Sequence, residues 1–258
     1  MLILVCASIL GFASAKSLEA RWATCGSLVE VASAEFESVP QDEMVVSGSE
    51  VVLSCSLYAS PQATISWFFR DQRITNHAPA MVENSLPNRK LGQSLVESRL
   101  RIPCVDVHTA GEYTCTATTP CTPPNLFLSA SAQVMIAPTN KVSRCNASSS
   151  FDSPNPSPSS PFISQFTVSR LEMPGGVIQL MCRAQGNPQP EVTWHRLGEA
   201  EELIDITNHH SYMKLSNGDL LVMGDDDKVT ESFRCTAKNQ HGEDTTDSTI
   251  IYVNADEN

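Results

Sequence analysis

The residues of this chain most suited to chemistry are its nine cysteines and six histidines. Two of the cysteines and one histidine lie close together in CVDVHTAGEYTC, residues 104–115. Thiolates and imidazoles bind zinc, a free thiolate is a nucleophile, and two thiols oxidise to a disulfide. The spacing and context of these residues must decide between a metal site, a catalytic or redox centre, and structural cross-links.

The spacing argues against a metal site. Structural zinc sites use close pairs such as C-x₂₋₄-C, whereas the nearest cysteines here, Cys115 and Cys121, are six positions apart. His209 and His210 are adjacent, and adjacent side chains on a strand point to opposite faces. The acidic run 225–227 lacks the alternating ligands and the glycine of a calcium loop. We therefore predict no metal ligands and no cofactor.

No catalytic constellation is visible in the sequence. The chain has no G-x-S-x-G, H-E-x-x-H, phosphate-loop or paired-carboxylate motif. Cysteines committed to disulfides have no thiolate with which to attack a substrate. We predict that the protein is not an enzyme, and we assign no catalytic residue.

The cysteine count indicates an oxidising compartment. The chain begins MLILVCASILGFASA, an apolar run that ends in small residues, which is typical of a secretory signal peptide over residues 1–15. Cleavage there removes Cys6 and leaves eight cysteines, an even set suited to disulfides. No later apolar run approaches the ~20 residues of a membrane-spanning helix. We expect a secreted, extracellular protein without membrane insertion.

The charge balance excludes one class of partner. The chain has 29 acidic and 17 basic residues, for a net charge of −12, and the excess of acid lies mainly in residues 162–258. Nucleic acids and other polyanions bind clustered Lys and Arg. We therefore expect an extracellular protein or peptide as the partner, and no nucleic acid.

Two segments share one spacing. CSLYASPQATISW (55–67) and CRAQGNPQPEVTW (182–194) each place Trp twelve residues after Cys, with Pro-Gln between them. Each is followed by a distant cysteine in an aromatic-x-Cys-x-Ala pattern, at Cys115 and at Cys235. A repeated Cys…Trp…Cys pattern predicts two immunoglobulin-type sandwiches.

The elements that must position these residues are strands. Apolar residues alternate with polar ones before Cys55 and before Cys182, so each cysteine points into a core. We expect disulfides Cys55–Cys115 and Cys182–Cys235. Closing the first loop of ~60 residues stabilises the fold by roughly 4 kcal/mol in the chain-entropy account. The core residues expected beside these disulfides are Trp67, Trp194 and Tyr113.

These patterns divide the chain into five parts. We expect a signal peptide at 1–15, an N-terminal segment at 16–35, an immunoglobulin-like domain at 36–138, a Ser/Pro-rich linker at 139–161, and a second immunoglobulin-like domain at 162–254. The composition of the linker predicts an extended, semi-stiff tether. It carries Asn146 in the sequence Asn-Ala-Ser, which predicts a glycoprotein.

Four further cysteines allow three pairings. Cys104 follows the strand that leads to the E–F corner, and Cys145 follows the last strand of the same domain, which ends nearby. Cys121 lies in the loop at the opposite end, within reach of Cys25. We favour Cys104–Cys145 and Cys25–Cys121, and the two other pairings stay open.

The second unit resembles an intermediate-set immunoglobulin domain. It has C-x-A-x-G-x-P-x-P-x-V-x-W at 182–194, NGDLLV at 217–222, and C-x-A-x-N-x-x-G at 235–242. It departs from that pattern with Phe233 where tyrosine is expected, so its E–F corner must lack the usual tyrosine hydrogen bond. In the first unit, Thr109 stands where the family usually has Asp. The predicted fold is all-β, with two tandem intermediate-set sandwiches joined by a linker.

The whole mature chain resembles small secreted two-immunoglobulin proteins, namely the nematode zwei-Ig family and the insect neural/ectodermal development factor. The residues that carry this resemblance are Asn-Gly-Asp-Leu-Leu, Gly-x-Asp-Thr at 242–245 and a short acidic end. The resemblance implies secretion, action in the nervous system, maintenance of axon position and binding of insulin-like peptides. The alternative function is an adhesion or guidance cue that acts through a cell-surface receptor.

Two surfaces are candidate ligand contacts. Leu126 and Phe127 lie in a proline-stiffened loop, which lowers the entropy lost on binding. The alternative is that both side chains pack on the sandwich or on the N-terminal segment. Phe68 and Arg70 lie on an outward sheet face and are residue types enriched at interfaces.

Overall fold

The computed structural model describes residues 33–75, 92–119, 128–138, 145, 157–224 and 229–253, and these residues form seventeen strands. The strands are β1 (Ser33–Ser38), β2 (Glu43–Val45), β3 (Val51–Ser60), β4 (Thr64–Phe69), β5 (Gln72–Arg73), β6 (Gln93–Ile102), β7 (Gly111–Thr118), β8 (Leu128–Ile136), β9 (Ser159–Glu172), β10 (Val177–Leu180), β11 (Cys182–Asn187), β12 (Glu191–Leu197), β13 (Leu203–Asp205), β14 (Tyr212–Lys214), β15 (Leu220–Met223), β16 (Thr230–Asn239) and β17 (Gly242–Tyr252). The all-β fold class predicted from the sequence is confirmed. The predicted signal peptide lies outside the described residues.

The first sandwich encloses its core between two sheets. One sheet contains β1, β3 and β6, and the other has the spatial order β2-β8-β7-β4-β5. Buried side chains alternate with exposed ones along the first half of β3, as the period of two predicts. A disulfide joins Cys55 on β3 to Cys115 on β7. Trp67, opposite Cys115 on the neighbouring strand, is fully buried in the same core.

The second sandwich repeats this arrangement. Its sheets are β10-β15-β14 and, in the larger sheet, β17-β16-β12-β13. Cys182 is bonded to Cys235, and Trp194 lies opposite Cys235 on β12. The two Pro-Gln repeats also share a local feature, because the peptide bonds before Pro61 and Pro188 are both cis.

Strand β9 joins the two sandwiches into one sheet. Its first part pairs with β11 and its last four residues run parallel to β17, both in the second domain. Along its other edge it pairs antiparallel with β6 of the first domain, from Ser98↔Gln165 to Gln93↔Leu171. The result is a nine-stranded sheet in the order β1-β3-β6-β9-β17-β16-β12-β13, with β11 also on β9. We call it the shared sheet.

β9 takes a position that belongs to the first domain. An immunoglobulin sandwich orders one of its sheets A-B-E-D, and β1, β3 and β6 correspond to strands A, B and E. β9 lies on the edge of β6 opposite β3, which is the place of strand D. It begins at Ser159, three residues before the predicted start of the second domain. The second domain therefore completes a sheet of the first.

A hydrogen-bonded chain ties the core of the first domain to β9. The indole Nε1 of Trp67 donates to Ser98 Oγ at 3.0 Å, and the Ser98 hydroxyl donates to the carbonyl oxygen of Ser164 at 3.1 Å. Ser98 and Ser164 are both buried. Buried polar groups are costly when unpaired, so these two hydrogen bonds stabilise the pairing of β6 with β9. We call this pairing the seam between the domains.

A second polar cluster lies where the cis-proline turn of the first domain meets the second domain. The side-chain oxygen of Gln62 accepts hydrogen bonds from Thr167 Oγ1 and from Arg170 Nη1, each at 3.1 Å. The amide nitrogen of Gln62 donates to the carbonyl oxygen of Gln179 at 3.2 Å. The buried guanidinium of Arg170 also pairs with Glu172. Every group of the cluster has a partner, as a buried network requires.

Gln165 contributes a third contact across the seam. The Gln165 amide is oriented so that both its nitrogen and its oxygen are hydrogen-bonded. The nitrogen donates to the Ile65 carbonyl oxygen at 3.3 Å, and the oxygen accepts a hydrogen bond from the Ile65 N–H at 3.2 Å. Gln165 is fully buried. Its side chain thus pairs with β4 much as a strand does.

Asp219 organises the face of the second domain that adjoins this seam. Its fully buried carboxylate pairs with Arg183 at 3.0 Å and accepts a hydrogen bond from Gln179 Nε2 at 2.8 Å. In the preceding turn, Gly218 has a φ of +94° and its carbonyl oxygen accepts the Trp194 indole N–H at 2.8 Å. The Asn-Gly-Asp motif therefore holds two side chains in place, Trp194 in the core and Gln179 at the junction of the domains.

We expect Ser98→Ala to destabilise the protein by about 2–3 kcal/mol, because it leaves the Trp67 indole and the Ser164 carbonyl unpaired in the interior. Urea unfolding followed by tryptophan fluorescence measures the change. The control is Ser131→Ala, which removes an exposed hydroxyl bonded to Thr114 and should cost less than ~0.5 kcal/mol. Equal effects of the two substitutions would contradict the role of Ser98 at the seam.

Candidate binding face of the shared sheet

The outer face of the shared sheet carries a row of exposed apolar side chains. Side chains alternate between the two faces of a strand, and on β6 the positions buried in the core alternate with outward ones such as Leu95. Tyr58 lies directly opposite Leu95, and Leu171 directly opposite Ile251. Tyr58, Leu171 and Ile251 are each about 40% exposed. We call these four residues the apolar stripe.

The outward face of the first domain passes into the outward face of the second through the pairing of β6 with β9. Leu95 on β6 lies opposite Ser169 on β9, and Ser169 lies opposite Thr249 on β17. Leu171 lies opposite Gln93, so it is a diagonal neighbour of Leu95, roughly 7–8 Å away. Cross-strand neighbours on one face lie about 5 Å apart. The shared sheet therefore presents one surface built from both domains.

Two arginines occupy the other end of this face in the first domain. Arg99 donates two hydrogen bonds to the Ile163 carbonyl oxygen, at 2.7 and 3.0 Å, and contacts Asp244 at 3.4 Å. Its guanidinium lies 5.1 Å from the ring centroid of Phe162. Arg101 pairs with Glu50 at 2.8 Å. Both cations are therefore held by groups within the protein.

Carboxylates separate the arginines from the stripe. Glu97 lies on β6 between Leu95 and Arg99, with Ser56 and Phe166 opposite it on the two neighbouring strands. Burial raises the pKa of Glu97 above its usual range, nearby Glu37 raises it further, and Arg99 opposes both. Glu37 itself accepts a hydrogen bond from Ser56 at 2.9 Å. Within the part of the chain that the structure describes, Glu97 has no hydrogen-bond partner.

This arrangement suits contact with another macromolecule. It combines exposed apolar area with carboxylates that form no ion pair among the described residues. Among the described residues, the His, Cys, Asp and Glu side chains form no group of three or more arranged to bind a metal ion. Within the same residues, no helix has the length and apolar character to cross a membrane.

The predicted ligand contacts in the first domain lie elsewhere. Phe68 is half-buried on β4, in the sheet opposite the shared sheet, and Arg70 is exposed at the following turn with a φ of 49°. The Arg70 guanidinium stacks 4.7 Å from the Phe69 ring. Leu126 and Phe127 lie outside the described residues. The structure therefore does not bring Phe68 and Arg70 to the apolar stripe.

The structure places part of the extra cysteine set. A disulfide joins Cys104 to Cys145, 41 residues apart. It holds the start of the predicted linker against the E–F corner of the first domain. Cys25, Cys121 and the glycosylation site Asn146 lie outside the described residues and stay predictions.

The E–F corner beside this disulfide is densely hydrogen-bonded. The Tyr113 hydroxyl donates to the Thr109 carbonyl oxygen at 2.6 Å, and the Thr109 hydroxyl donates to the Cys104 carbonyl oxygen at 2.9 Å. Asp106 accepts backbone N–H bonds from His108 at 2.8 Å and from Cys145 at 3.1 Å. Burial opposes ionisation of Asp106, but these N–H donors prevail and hold its pKa below the ordinary value.

The second domain builds its corner differently. Phe233, which has no hydroxyl, occupies the place of Tyr113, two residues before the core cysteine. Instead, buried Glu231 accepts hydrogen bonds from Tyr212 at 2.9 Å and from Tyr252 at 3.0 Å. The departure at Phe233 is therefore accompanied by a different hydrogen-bond network, which is centred on Glu231.

Sequence reasoning missed the apolar stripe because it did not predict that β9 pairs with β6. One signal was present. The alternation on β6 leaves Leu95 on the face opposite the core, and an isolated domain has no evident use for it there. Leu171 and Ile251 lie beside it only when the two domains share a sheet.

The comparisons with known proteins agree on the architecture. The immunoglobulin-domain profile matches residues 35–119 and 161–239. The chain is 28% identical to Zwei Ig domain protein zig-2 of Caenorhabditis elegans, with 84% of each chain covered, and 30% identical to zig-4 of the same nematode, with 84% of this chain and 78% of that protein covered. It is 24% identical to the Neural/ectodermal development factor IMP-L2 of Drosophila melanogaster, over 80% of this chain and 70% of that protein.

A solved structure has the same overall fold. The crystal structure of neural ectodermal development factor IMP-L2 superposes with a TM-score of 0.64 at 23% sequence identity. The superposition covers 88% of this chain and 99% of that chain. This likeness shows the fold of both domains.

We expect Asp106→Asn to lower the free energy of unfolding by about 1–2 kcal/mol at pH 7, since it weakens charge-assisted bonds at the corner. The pKa of Asp106 is lowered in the folded state, so its contribution is complete above the ordinary Asp pKa and declines as the pH falls below ~4. Unfolding measured from pH 7 to pH 3 should show the gap to wild type narrowing. A gap that stays constant, or an equal effect of Glu43→Gln at an exposed site, would contradict the assignment.

Proposed function

This chain belongs to the zwei-Ig family of immunoglobulin-domain proteins. We propose that it is a secreted binding protein that captures insulin-like peptides in or near the nervous system. We assign it no enzymatic activity. Its action consists of protein–protein contacts outside the cell, through the outer face of the shared sheet. Maintenance of axon position, which the family resemblance implies, belongs to the same proposal.

The observation that carries the proposal is the continuity of the shared sheet. Two sandwiches on a loose tether offer two small surfaces whose relative position costs entropy to fix on binding. Here β9 fixes that position before any partner arrives, and the apolar stripe runs from Tyr58 in the first domain to Ile251 in the second. Exposed apolar side chains that are grouped on one face favour a protein contact.

Secretion is supported by the chain's own chemistry. The apolar run at 1–15 has the form of a signal peptide. Three disulfides lie within the described residues, and disulfides persist in oxidising compartments. The acidic net charge disfavours polyanionic partners and leaves proteins and peptides as the ligand class.

The choice of insulin-like peptides rests on the resemblance to the insect development factor, and the shared sheet supports it. A rigid surface that spans two small domains suits a compact peptide that buries its apolar residues against both of them. We expect the full chain, secreted from eukaryotic cells, to bind at least one insulin-like peptide of its host with a Kd below about 1 µM by isothermal titration.

Substitutions on the face locate the site. Leu171→Asp and Ile251→Asp place a charge in the stripe and should each weaken binding about tenfold or more. Met223→Asp is the control, because Met223 is 55% exposed on the other sheet of the second domain. Phe68→Asp tests the surface that the sequence predicted.

The outcomes separate the hypotheses. Loss of binding in the stripe variants, with Met223→Asp and Phe68→Asp unchanged, supports the shared sheet as the site. Loss in Phe68→Asp alone moves the site to the opposite sheet. Failure to bind any insulin-like peptide of the host, together with binding to cell surfaces, would overturn the proposal in favour of an adhesion or guidance cue.

A further inference from the structure

We infer that the partner of the shared sheet presents a cationic group, a Lys or Arg side chain or a terminal amine, beside its apolar residues, and that Glu97 and Glu37 bind this cation. The inference rests on the proposed function, because it concerns the same face. It adds the chemical class of the group that the face selects. Partners without such a cation, or with a carboxylate in its place, are rejected.

Glu97 lies at the edge of the apolar stripe. Glu97 is the outward residue next to Leu95 on the same strand face, so it borders the apolar stripe directly. Ser56 on β3 and Phe166 on β9 lie opposite it, and Glu37 on β1 reaches the same region through its bond to Ser56. Any partner that covers Tyr58 and Leu95 therefore also covers these carboxylates.

Among the described residues, no cation pairs directly with these carboxylates, and Arg99 offsets the charge of Glu97 only in part. Arg99 lies two residues along the strand, but its guanidinium is held by the Ile163 carbonyl oxygen and by Asp244. Arg101 is held by Glu50. Among the described residues, neither Glu97 nor Glu37 forms an ion pair. The charge beside the stripe is therefore a net negative one.

Covering Glu97 with a partner has a desolvation cost. A carboxylate removed from water without a counter-charge is strongly unfavourable, whereas one that meets a hydrogen-bonded cation is not. A partner that buries the stripe strips water from Glu97, which is already half-buried and accepts no hydrogen bond from the part of the chain that the structure describes. A Lys, an Arg or a terminal amine supplies both the donor and the charge. Complementary charge at the edge of an apolar contact is a common basis of specificity.

Protonation gives the contact a pH dependence. The groups that face Glu97 are Glu37 from β1, Arg99 on its own strand, Ser56 on β3 and Phe166 on β9, and only the first two carry charge. Burial raises the pKa of Glu97 in the free protein, Arg99 opposes this rise, and Glu37 adds to it. A bound cation favours the charged carboxylate, so affinity should fall as the pH falls through that raised pKa.

The first experiment uses an insulin-like peptide that binds the wild-type protein, with human insulin as a second probe. Glu97→Gln should weaken binding about tenfold and Glu37→Gln about threefold, while the control Glu112→Gln, an exposed residue of the other sheet, should change it less than twofold. The gap between wild type and Glu97→Gln should shrink as the pH is lowered. Unchanged affinity in Glu97→Gln would overturn the inference and leave the proposed function standing.

The second experiment does not depend on hormone binding. Two synthetic peptides, acetyl-Leu-Lys-Leu-amide and acetyl-Leu-Gln-Leu-amide, are titrated into the labelled full chain at millimolar concentration, and the backbone amide shifts of Leu95, Glu97 and Leu171 are followed by NMR. The lysine peptide should bind at least about threefold more tightly than the glutamine peptide, and Glu97→Gln should remove the difference. Equal binding of the two peptides would overturn the inference even if no insulin-like peptide binds. Melting temperatures of the variants confirm that each is folded.

Discussion

The backbone pairing of β9 with β6 is the interaction on which the rest of the structure depends. It places a strand of the second domain at the D-strand position of the first domain's sheet. The polar side chains on and around β9 then become interior residues, and each must find a partner. Ser98, Gln62 and Gln165 meet this requirement by bonding across the seam. Pairing and polar network therefore stabilise each other.

The fixed seam explains how two ordinary sandwiches become one surface. Leu95 and Leu171 lie on the strands that meet at the seam, and both point outward because the residue before each of them is buried on the other face of the sheet. Arg99 spans the seam from the first domain to Ile163 and Asp244, so this cation holds the two domains together. Among the described residues, Glu97 is left beside the stripe without an ion-pair or hydrogen-bond partner. The proposed affinity for apolar residues and the proposed preference for a cation thus both follow from the pairing of β9 with β6.

The sequence was sufficient to predict what local patterns encode. The repeated Cys…Trp…Cys spacing and the period of two identify both sandwiches, because each strand records its own burial in its residues. The residue types on β9 do not reveal that it pairs with β6. Gln165 and Thr167 are polar, as expected for the solvent-facing side of an alternating strand, although both are fully buried. The apolar stripe shares this limit, since Leu95 and Ile251 are distant in sequence. Phe68 and Arg70 stood out by residue type alone; Phe68 lies on a different sheet, and Arg70 lies in the turn that follows it.

The central claim is that the two domains form one rigid body through the shared sheet, and residual dipolar couplings test it most directly. Backbone N–H couplings of the full chain in a dilute aligning medium report the orientation of each domain separately. The structure predicts that one alignment tensor, with the same magnitude and direction, fits the strands of both domains. Separate tensors of different magnitude for the two sandwiches would show that they move independently, and would contradict the shared sheet and the binding face built on it.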